Sequence, residues 1–162
     1  MTIVSDASSL GSLALIDYLW LLEALYGTVG IAEVVARELA TAKGGRVQAV
    51  IAFDWVEVQP PTEAAIATVL QQGKQLDLCE THTLALAFQL RADAVLLNER
   101  RSRQVAQTLK IPAIGVFGIA IAAKQQSLIP SVRRIMDALV EQAGFRVSNP
   151  LYQQILKFAD EI

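Results

Sequence analysis

The sequence predicts an α/β fold of three layers, in which a mostly parallel central sheet of four to five short strands lies between helices. Short apolar runs alternate along the chain with longer runs that have helical spacing. This alternation is typical of parallel strands joined by right-handed crossovers. Apolar residues make up 53% of the 162 residues, which is enough for a sizeable core. We therefore expect residues 1–162 to form a single domain.

The first half of the chain contains three predicted strands and four predicted helices. In chain order these are a strand at residues 2–4, helices at 8–16 and 18–25, a strand at 28–29, helices at 31–40 and 47–53, and a strand at 55–58. Ser8 is the predicted N-cap of the first helix. Ile31 is assigned to the third helix, because apolar residues recur there with helical spacing. Residues 55–58 alternate until a Pro-Pro pair, which is the pattern of a strand.

The second half of the chain has clearer element boundaries. Thr62 opens a predicted helix that ends near Gly73, and Asp77 opens the next one, because both side chains suit an N-cap. The helix at Asp77 runs to about residue 91. Further elements are a strand at 94–97, a helix at 99–110, a strand at 111–114, and helices at 116–125, 132–142 and 150–159.

Composition and charge exclude several classes of protein. The single cysteine, Cys79, excludes an internal disulfide and a cysteine-based zinc site. The net charge is −2 at pH 7, whereas proteins that neutralise many phosphates are usually basic. No apolar run reaches the roughly 18 residues that a membrane helix needs, and no basic signal segment opens the chain. We therefore expect no membrane association and a cytoplasmic location.

Polar side chains follow two of the predicted strands. Asp6 comes just after the first strand, and Asn98 with Glu99 comes just after the strand at residues 94–97. In open parallel sheets, ligands bind outside the carboxyl ends of the strands, where the strand order reverses. The sequence therefore predicts a ligand site near these residues.

Acidic groups at four places predict a site for a divalent cation. Besides Asp6 and Asn98-Glu99, Glu38 lies on a predicted helix and Glu80 lies in the first turn of another. Mg²⁺ and Mn²⁺ prefer oxygen ligands, and such an ion can activate water and stabilise charge on a phosphoryl group. Each residue also has a simpler interpretation: a turn or cap residue for Asp6 and Asn98, a solvated side chain for Glu38, and helix-dipole stabilisation for Glu80.

Three arginines, Arg100, Arg101 and Arg103, form a basic cluster beside this predicted site. They are candidates for contact with nucleic-acid phosphates, and the alternative is a solvated helix face paired with acids such as Glu99. The only histidine, His82, is interpreted as a polar residue of a helix surface.

Six segments of the chain, taken in order, resemble the PIN-domain family. They are VSDASSL at residues 4–10, IAEVVAREL at 31–39, LDLCE at 76–80 followed by LALA at 84–87, VLLNERRSR at 95–103, IGVFG at 114–118 and AAK at 122–124. The family includes the toxin ribonucleases of bacterial and archaeal toxin–antitoxin pairs. No single segment is specific, whereas their order and spacing together are fairly specific.

The resemblance implies a fold, an activity and a set of site residues. The fold is a parallel sheet flanked by helices, and the activity is Mg²⁺- or Mn²⁺-dependent RNA cleavage. Asp6, Glu38 and Glu80 become metal ligands, and the fourth acidic ligand of the family falls on Asn98, with Glu99 beside it. RNA contacts are expected from Ser8, Arg100, Arg101 and Arg103. The expected partners are RNA, a small antitoxin protein and a second copy of the chain in a homodimer.

Three positions depart from the pattern of the family. Asn98 replaces an aspartate, Cys79 stands where glycine is usual, and Val116 stands where a small hydroxyl residue is frequent. The loss of one charge at Asn98 favours a second interpretation, in which the domain is catalytically degraded and binds RNA or a protein partner. A receiver-like signalling module is a third possibility, by analogy of fold alone. The sequence lacks the paired acids that such a module requires.

Overall fold

A five-stranded parallel sheet forms the centre of the structure. The computed structural model of the chain describes residues 1–72 and 75–162. The strands are β1 (Ile3–Ser5), β2 (Val29–Ala32), β3 (Val56–Gln59), β4 (Ala94–Leu96) and β5 (Ala113–Ile114). They lie in the order β3-β2-β1-β4-β5, and every neighbouring pair is parallel. The predicted α/β class with its parallel central sheet is confirmed.

Helices flank this sheet and complete the three layers. Within the described residues they are α1 (Ala7–Leu15), α2 (Trp20–Tyr26), α3 (Glu33–Ala40), α4 (Gly45–Gln48), α5 (Glu63–Leu70), α6 (Leu78–Gln89), α7 (Arg100–Thr108), α8 (Val116–Gln125), α9 (Val132–Gln142) and α10 (Asn149–Phe158). A short 3₁₀ turn at Ala49–Ala52 continues α4. The predicted bounds of α8 and α9 agree with the structure residue for residue.

The order of the strands reverses between β1 and β4. The chain passes from β1 outwards to β2 and β3, and then returns to the other side of β1 for β4 and β5. Val4 of β1 pairs with Gly30 of β2 on one side and with Val95 of β4 on the other. The carboxyl ends of β1 and β4 therefore flank the switch point, which is where ligands bind in sheets of this kind.

The core covers both faces of the central strands, since every residue of β1, β2 and β4 is buried. Helices α1 and α6 contribute fully buried leucines, among them Leu10 and Leu84. Each such side chain stabilises the fold by about 1.5–3 kcal/mol through burial. Four apolar residues in or next to the first two helices also lie in the core, namely Leu13, Ile16, Leu19 and Leu22. Trp20 differs from them, because 45% of it is exposed.

The first helix begins earlier than predicted, and the predicted N-cap Ser8 is wrong. Helix α1 begins at Ala7, and Asp6 is its N-cap. The Asp6 carboxylate accepts a hydrogen bond of 2.9 Å from the backbone N–H of Ser9. Aspartate and serine suit an N-cap equally well, so composition alone does not decide between neighbouring candidates.

Other predicted boundaries shift for local reasons. Ile31 lies in β2 and pairs with Val58, so the helix predicted from residue 31 begins at Glu33 instead. A short buried strand and a helix face look alike when apolar residues are close together. The helix predicted at 47–53 is α4 and the following 3₁₀ turn. The predicted helix end at Gly73 lies outside the described residues, and α5 ends at Leu70.

No single helix in the described parts of the chain is long and apolar enough to cross a membrane. Helices α1 and α2 reach that length and composition only when taken together, and they are bent by 118° relative to each other.

Candidate metal centre

Asp6 is a buried carboxylate at the carboxyl end of β1, with a relative exposure of 6%. Its backbone N–H donates to the carbonyl oxygen of Leu96 in β4 at 3.0 Å. Its Oδ1 accepts from the N–H of Ser9 at 2.9 Å, and its Oδ2 accepts from the N–H of Asn98 at 2.9 Å and the hydroxyl of Ser8 at 3.4 Å. The side chain is therefore fixed by three donors from two different strand ends.

Burial raises the pKa of Asp6 above its ordinary value. The hydrogen bonds from Ser9, Asn98 and Ser8 lower this pKa but do not outweigh burial. No salt bridge to Asp6 is formed within residues 1–72 and 75–162. Burial thus makes the ionised form of Asp6 less favourable than it is in water, and a nearby cation would favour that form.

Asn98 forms a hydrogen bond with Asp6 across the switch point. It follows β4 by two residues, is half-buried, and donates its backbone N–H to Asp6. The structure thus brings together the two strand-end residues that the sequence singled out. Because the backbone of Asn98 makes this bond, its side-chain amide is not needed to hold Asp6 in place.

Glu80 lies in the first turn of α6 and takes part in a capping box. The N–H of Glu80 donates to Asp77 at 2.7 Å, and Glu80 Oε2 accepts from the N–H of Asp77 at 3.2 Å. Burial raises the pKa of Glu80, and the negative charges of Asp77 and Glu99 raise it further, while Arg101 lowers it. Glu80 therefore caps a helix and is also repelled by the negative charges of Asp77 and Glu99.

Glu38 and Cys79 lie close together between α3 and α6. Burial raises the pKa of the Cys79 thiol to about 12, and the charge and hydrogen bond of Glu38, followed by the charges of Asp77 and Glu80, contribute to this rise. The thiol donates weakly to the carbonyl oxygen of Val34 at 3.8 Å. Cys79 is therefore protonated at neutral pH, as suits a half-buried packing residue and not a nucleophile. Its surroundings place Glu38 and Glu80 in the same neighbourhood.

A cleft of about 440 Å³ opens beside Glu80. Its lining residues are Glu80, Glu99, Arg100, Arg101 and Gln104. Arg101 donates to the backbone carbonyl of Gln75 at 2.9 Å, and Arg100 is exposed. The cleft thus joins acidic and basic groups on one surface, which suits an anionic substrate that is bound together with a cation.

Arg103 does not line the cleft with Arg100 and Arg101 but contacts the backbone after β4. Its Nε and Nη2 both donate to the carbonyl oxygen of Leu97, at 3.1 and 2.9 Å. No pattern in the sequence indicates this contact, nor the place of Gln104 in the cleft. The Asp-x-x-Glu spacing of Asp77 and Glu80 does predict their capping box.

The donor atoms of these residues suit a hard divalent cation, although they are spread over a wide site. Within the described residues, no group of three or more His, Cys, Asp or Glu side chains is close enough to hold a metal ion. Three donors reach the Asp6 oxygens, two of them at Oδ2. Mg²⁺ usually keeps several waters and needs only one or two protein carboxylates. The oxygens of Asp6, Asn98, Glu38 and Glu80 are of the kind that such an ion prefers, but in the described residues the three carboxylates do not form one compact ligand set.

A family model described as DUF3368, PIN domain, matches residues 2–161. The chain belongs to the PIN-domain family. No curated protein matches this PIN domain. The family has a nuclease fold and generally uses divalent metal ions.

The structure shows where the three residues that depart from the family pattern lie. Asn98 lies at the switch point beside Asp6, Cys79 lies between Glu38 and Glu80, and Val116 is buried in the first turn of α8. Only the change at Asn98 removes a charge from the proposed ligand set.

Proposed function

We propose that this PIN domain is a Mg²⁺- or Mn²⁺-dependent endoribonuclease that hydrolyses RNA phosphodiester bonds, and that it is the toxin of a toxin–antitoxin pair. The observation that supports the activity best is the buried Asp6 carboxylate, which three donors hold at the switch point of a PIN fold. A carboxylate that is buried without a cationic side chain is costly, and a metal ion removes that cost. The proposal includes a cytoplasmic location and a homodimer.

Asp6, Glu38, Glu80 and Asn98 would hold the metal ion, with Glu99 beside them. When bound, the ion would supply stabilisation of the charge that develops on the phosphoryl oxygens and would make water a stronger nucleophile. Ser9, Ser8 and the backbone of Asn98 orient the Asp6 oxygens, so that side chain does not need to reorganise during the reaction.

The basic residues around the cleft would hold the RNA. Arg100 and Arg101 line the cleft at the start of α7, where the helix dipole also favours an anion. Ser8, and those N–H groups of Arg103 that do not bond Leu97, complete the proposed set of RNA contacts. This local concentration of cations offsets the net charge of −2 in the region that meets the phosphates.

A cleavage assay tests this proposal. Purified protein is incubated with structured RNA in Mn²⁺ and in EDTA, and the native chain is compared with Asp6→Ala and with the control Asp54→Ala, which changes an exposed aspartate. We expect cleavage that needs Mn²⁺, that Asp6→Ala abolishes and that Asp54→Ala leaves unchanged. Cleavage in EDTA, or full activity of folded Asp6→Ala, would reject the proposal.

Asn98 favours a second candidate function, a catalytically degraded PIN domain that binds RNA or a protein partner. The amide oxygen of Asn98 is a neutral ligand, and the described acids do not converge as a group of three. Cleavage that is absent in the native chain but appears in Asn98→Asp would support this second candidate. The toxin role is tested separately by co-purification with the product of an adjacent small gene.

A further inference from the structure

The peptide group between Leu97 and Asn98 connects two charged side chains. Its carbonyl oxygen accepts from Arg103 Nε and Nη2 at 3.1 and 2.9 Å. Its N–H donates to Asp6 Oδ2 at 2.9 Å. Because a trans peptide group is planar, its C=O and N–H point in opposite directions and move together. One rigid unit therefore links the guanidinium of Arg103 to the buried carboxylate of Asp6.

The preceding peptide group, between Leu96 and Leu97, is fixed by the neighbouring strand ends. The N–H of Leu97 donates to the carbonyl oxygen of Ile114 in β5 at 3.0 Å. The carbonyl of Leu96 accepts from the N–H of Asp6 at 3.0 Å. The segment after β4 is thus tied to β1 and β5, and Arg103 supplies the only side-chain donor to Leu97 in the described part of the chain.

Gly115 makes room for the guanidinium of Arg103. A Cβ atom at Gly115 would overlap Arg103 Nη2 and would lie 3.1 Å from its Cζ. The backbone of Gly115, with φ −101° and ψ 171°, is a conformation that any residue adopts. A side chain here would therefore displace the guanidinium of Arg103, whereas the backbone itself would tolerate one.

We propose that Arg103 is a positioning residue that acts on Asp6 through the Leu97–Asn98 peptide group, with Gly115 preserving its place. A positive charge on the carbonyl polarises the peptide group and strengthens the hydrogen bond from Asn98 to Asp6. That bond sets which lone pair of Asp6 faces a ligand. The effect on metal binding and cleavage rests on the proposed function, whereas the effect on the peptide group does not.

This role differs from the phosphate contact that the resemblance implies for Arg103. Two of its five N–H groups are directed to Leu97. Loss of a partner that orients a metal ligand typically costs about 10- to 100-fold in metal affinity or activity. Loss of a phosphate contact instead weakens RNA binding and leaves metal affinity unchanged.

The test combines two measurements on the full chain. The ¹H–¹⁵N amide resonance of Asn98 is recorded in metal-free protein, and Mn²⁺ affinity is measured by calorimetry. The variants are Arg103→Ala, Arg103→Lys, Gly115→Ala and the double variant of Arg103→Ala with Gly115→Ala. Gln107→Ala, one turn further along α7, is the matched control.

We expect Arg103→Ala and Gly115→Ala each to move the Asn98 amide proton upfield and to weaken Mn²⁺ binding about 10- to 100-fold. The double variant should be no weaker than either single variant, because the three atoms nearest to the methyl group added by Gly115→Ala all belong to the Arg103 guanidinium. Arg103→Lys should recover part of the shift, since an ammonium group can still donate to Leu97. Gln107→Ala should match the native chain.

An unchanged Asn98 resonance in folded Arg103→Ala, or additive effects in the double variant, would overturn the proposal. Weaker RNA binding with an unchanged Asn98 resonance would overturn it in favour of a phosphate contact. If Arg103→Ala fails to fold, the Asn98 resonance of Gly115→Ala and of Arg103→Lys tests the role of Arg103 instead. A native chain that binds no Mn²⁺ contradicts the proposed function, and the Asn98 resonance still decides the role of Arg103.

Discussion

We expect replacement of Asn98 to change metal affinity and catalytic competence at the proposed metal centre. Its backbone N–H holds Asp6, so a change of side chain leaves that contact in place. A carboxylate at this position would add a charged oxygen ligand beside Asp6 at the end of β4. It would also add repulsion between two like charges in the metal-free protein.

We predict that Asn98→Asp raises Mn²⁺ affinity and lowers the thermal stability of the metal-free protein, while saturating Mn²⁺ restores that stability. A ligand that binds only the folded state stabilises it, by about 2.7 kcal/mol at 100 times its Kd. Thermal unfolding with and without Mn²⁺ measures both effects. Asn149→Asp, at an exposed residue of α10, is the matched control. Equal responses of the two variants to Mn²⁺ would show that residue 98 is not near the metal.

At the scale of elements, the last residues of the chain are fastened to the start of α9. The Glu161 carboxylate accepts from the N–H groups of Val132 and Arg133 at 2.6 and 3.1 Å and from the hydroxyl of Ser131 at 2.9 Å. Lys124 of α8 lies 3.1 Å from the same carboxylate and also donates to the backbone carbonyl of Ala159. The contact therefore holds the end of α10 against α8 and α9.

This contact predicts a loss of stability in acid. Burial alone would raise the pKa of Glu161, but its hydrogen bonds to Val132, Arg133, Lys124 and Ser131 lower the pKa from 4.5 to about 2. A lowered pKa in the folded state gives stability that is present above the ordinary value and is lost as the pH falls towards 2. We expect Glu161→Gln to cost about 1.5–3 kcal/mol at pH 7 and to flatten the decline in stability between pH 5 and pH 2.

Urea unfolding at several pH values checks this prediction. Glu141→Gln, an exposed glutamate near the end of α9, is the control and should keep the native pH dependence. If Glu161→Gln loses stability in acid as steeply as the native chain, Glu161 does not anchor the C-terminal segment.

The elements also show what the sequence can and cannot predict. Thr62 and Asp77 were predictable N-caps, because a cap depends on hydrogen bonds within one turn. Ile31 was assigned to the wrong element, because its strand is four residues long and is defined by its pairing with β3. The contact of Arg103 with Leu97 depends on how α7 returns to the end of β4, which no local pattern encodes. Asp6 and Asn98 were predictable neighbours, because parallel strands bring their carboxyl ends to one edge.

At the scale of the whole molecule, the described residues leave a largely apolar groove open, with the charged Asp17 and Arg46 also in its lining. Trp20 and Phe53 are each 45% exposed and line a groove of about 310 Å³. Ala14, Leu19 and Ala49 line the same groove. Exposed apolar patches of this kind mark surfaces where proteins associate. The expected homodimer and the expected antitoxin both need such a surface.

We predict that the native protein is a homodimer in solution and that Trp20→Ser together with Phe53→Ser shifts it to the monomer. Removing two large apolar side chains reduces the area that association buries. Light scattering across a range of concentrations measures the mass, and Phe158→Ser is the control, because Phe158 is 67% exposed and does not line this groove. A native protein that is monomeric at every concentration would contradict the predicted dimer.

The most direct test of the central claim is Mn²⁺ binding by the native chain and by Asp6→Asn. An asparagine keeps an oxygen for the N–H of Ser9 and so retains the cap of α1, while it removes the buried charge. We expect the native chain to bind Mn²⁺ and Asp6→Asn, although folded, to have lost that binding. Equal Mn²⁺ affinity in the two proteins, or no binding by the native chain, would contradict a metal centre at the carboxyl ends of β1 and β4.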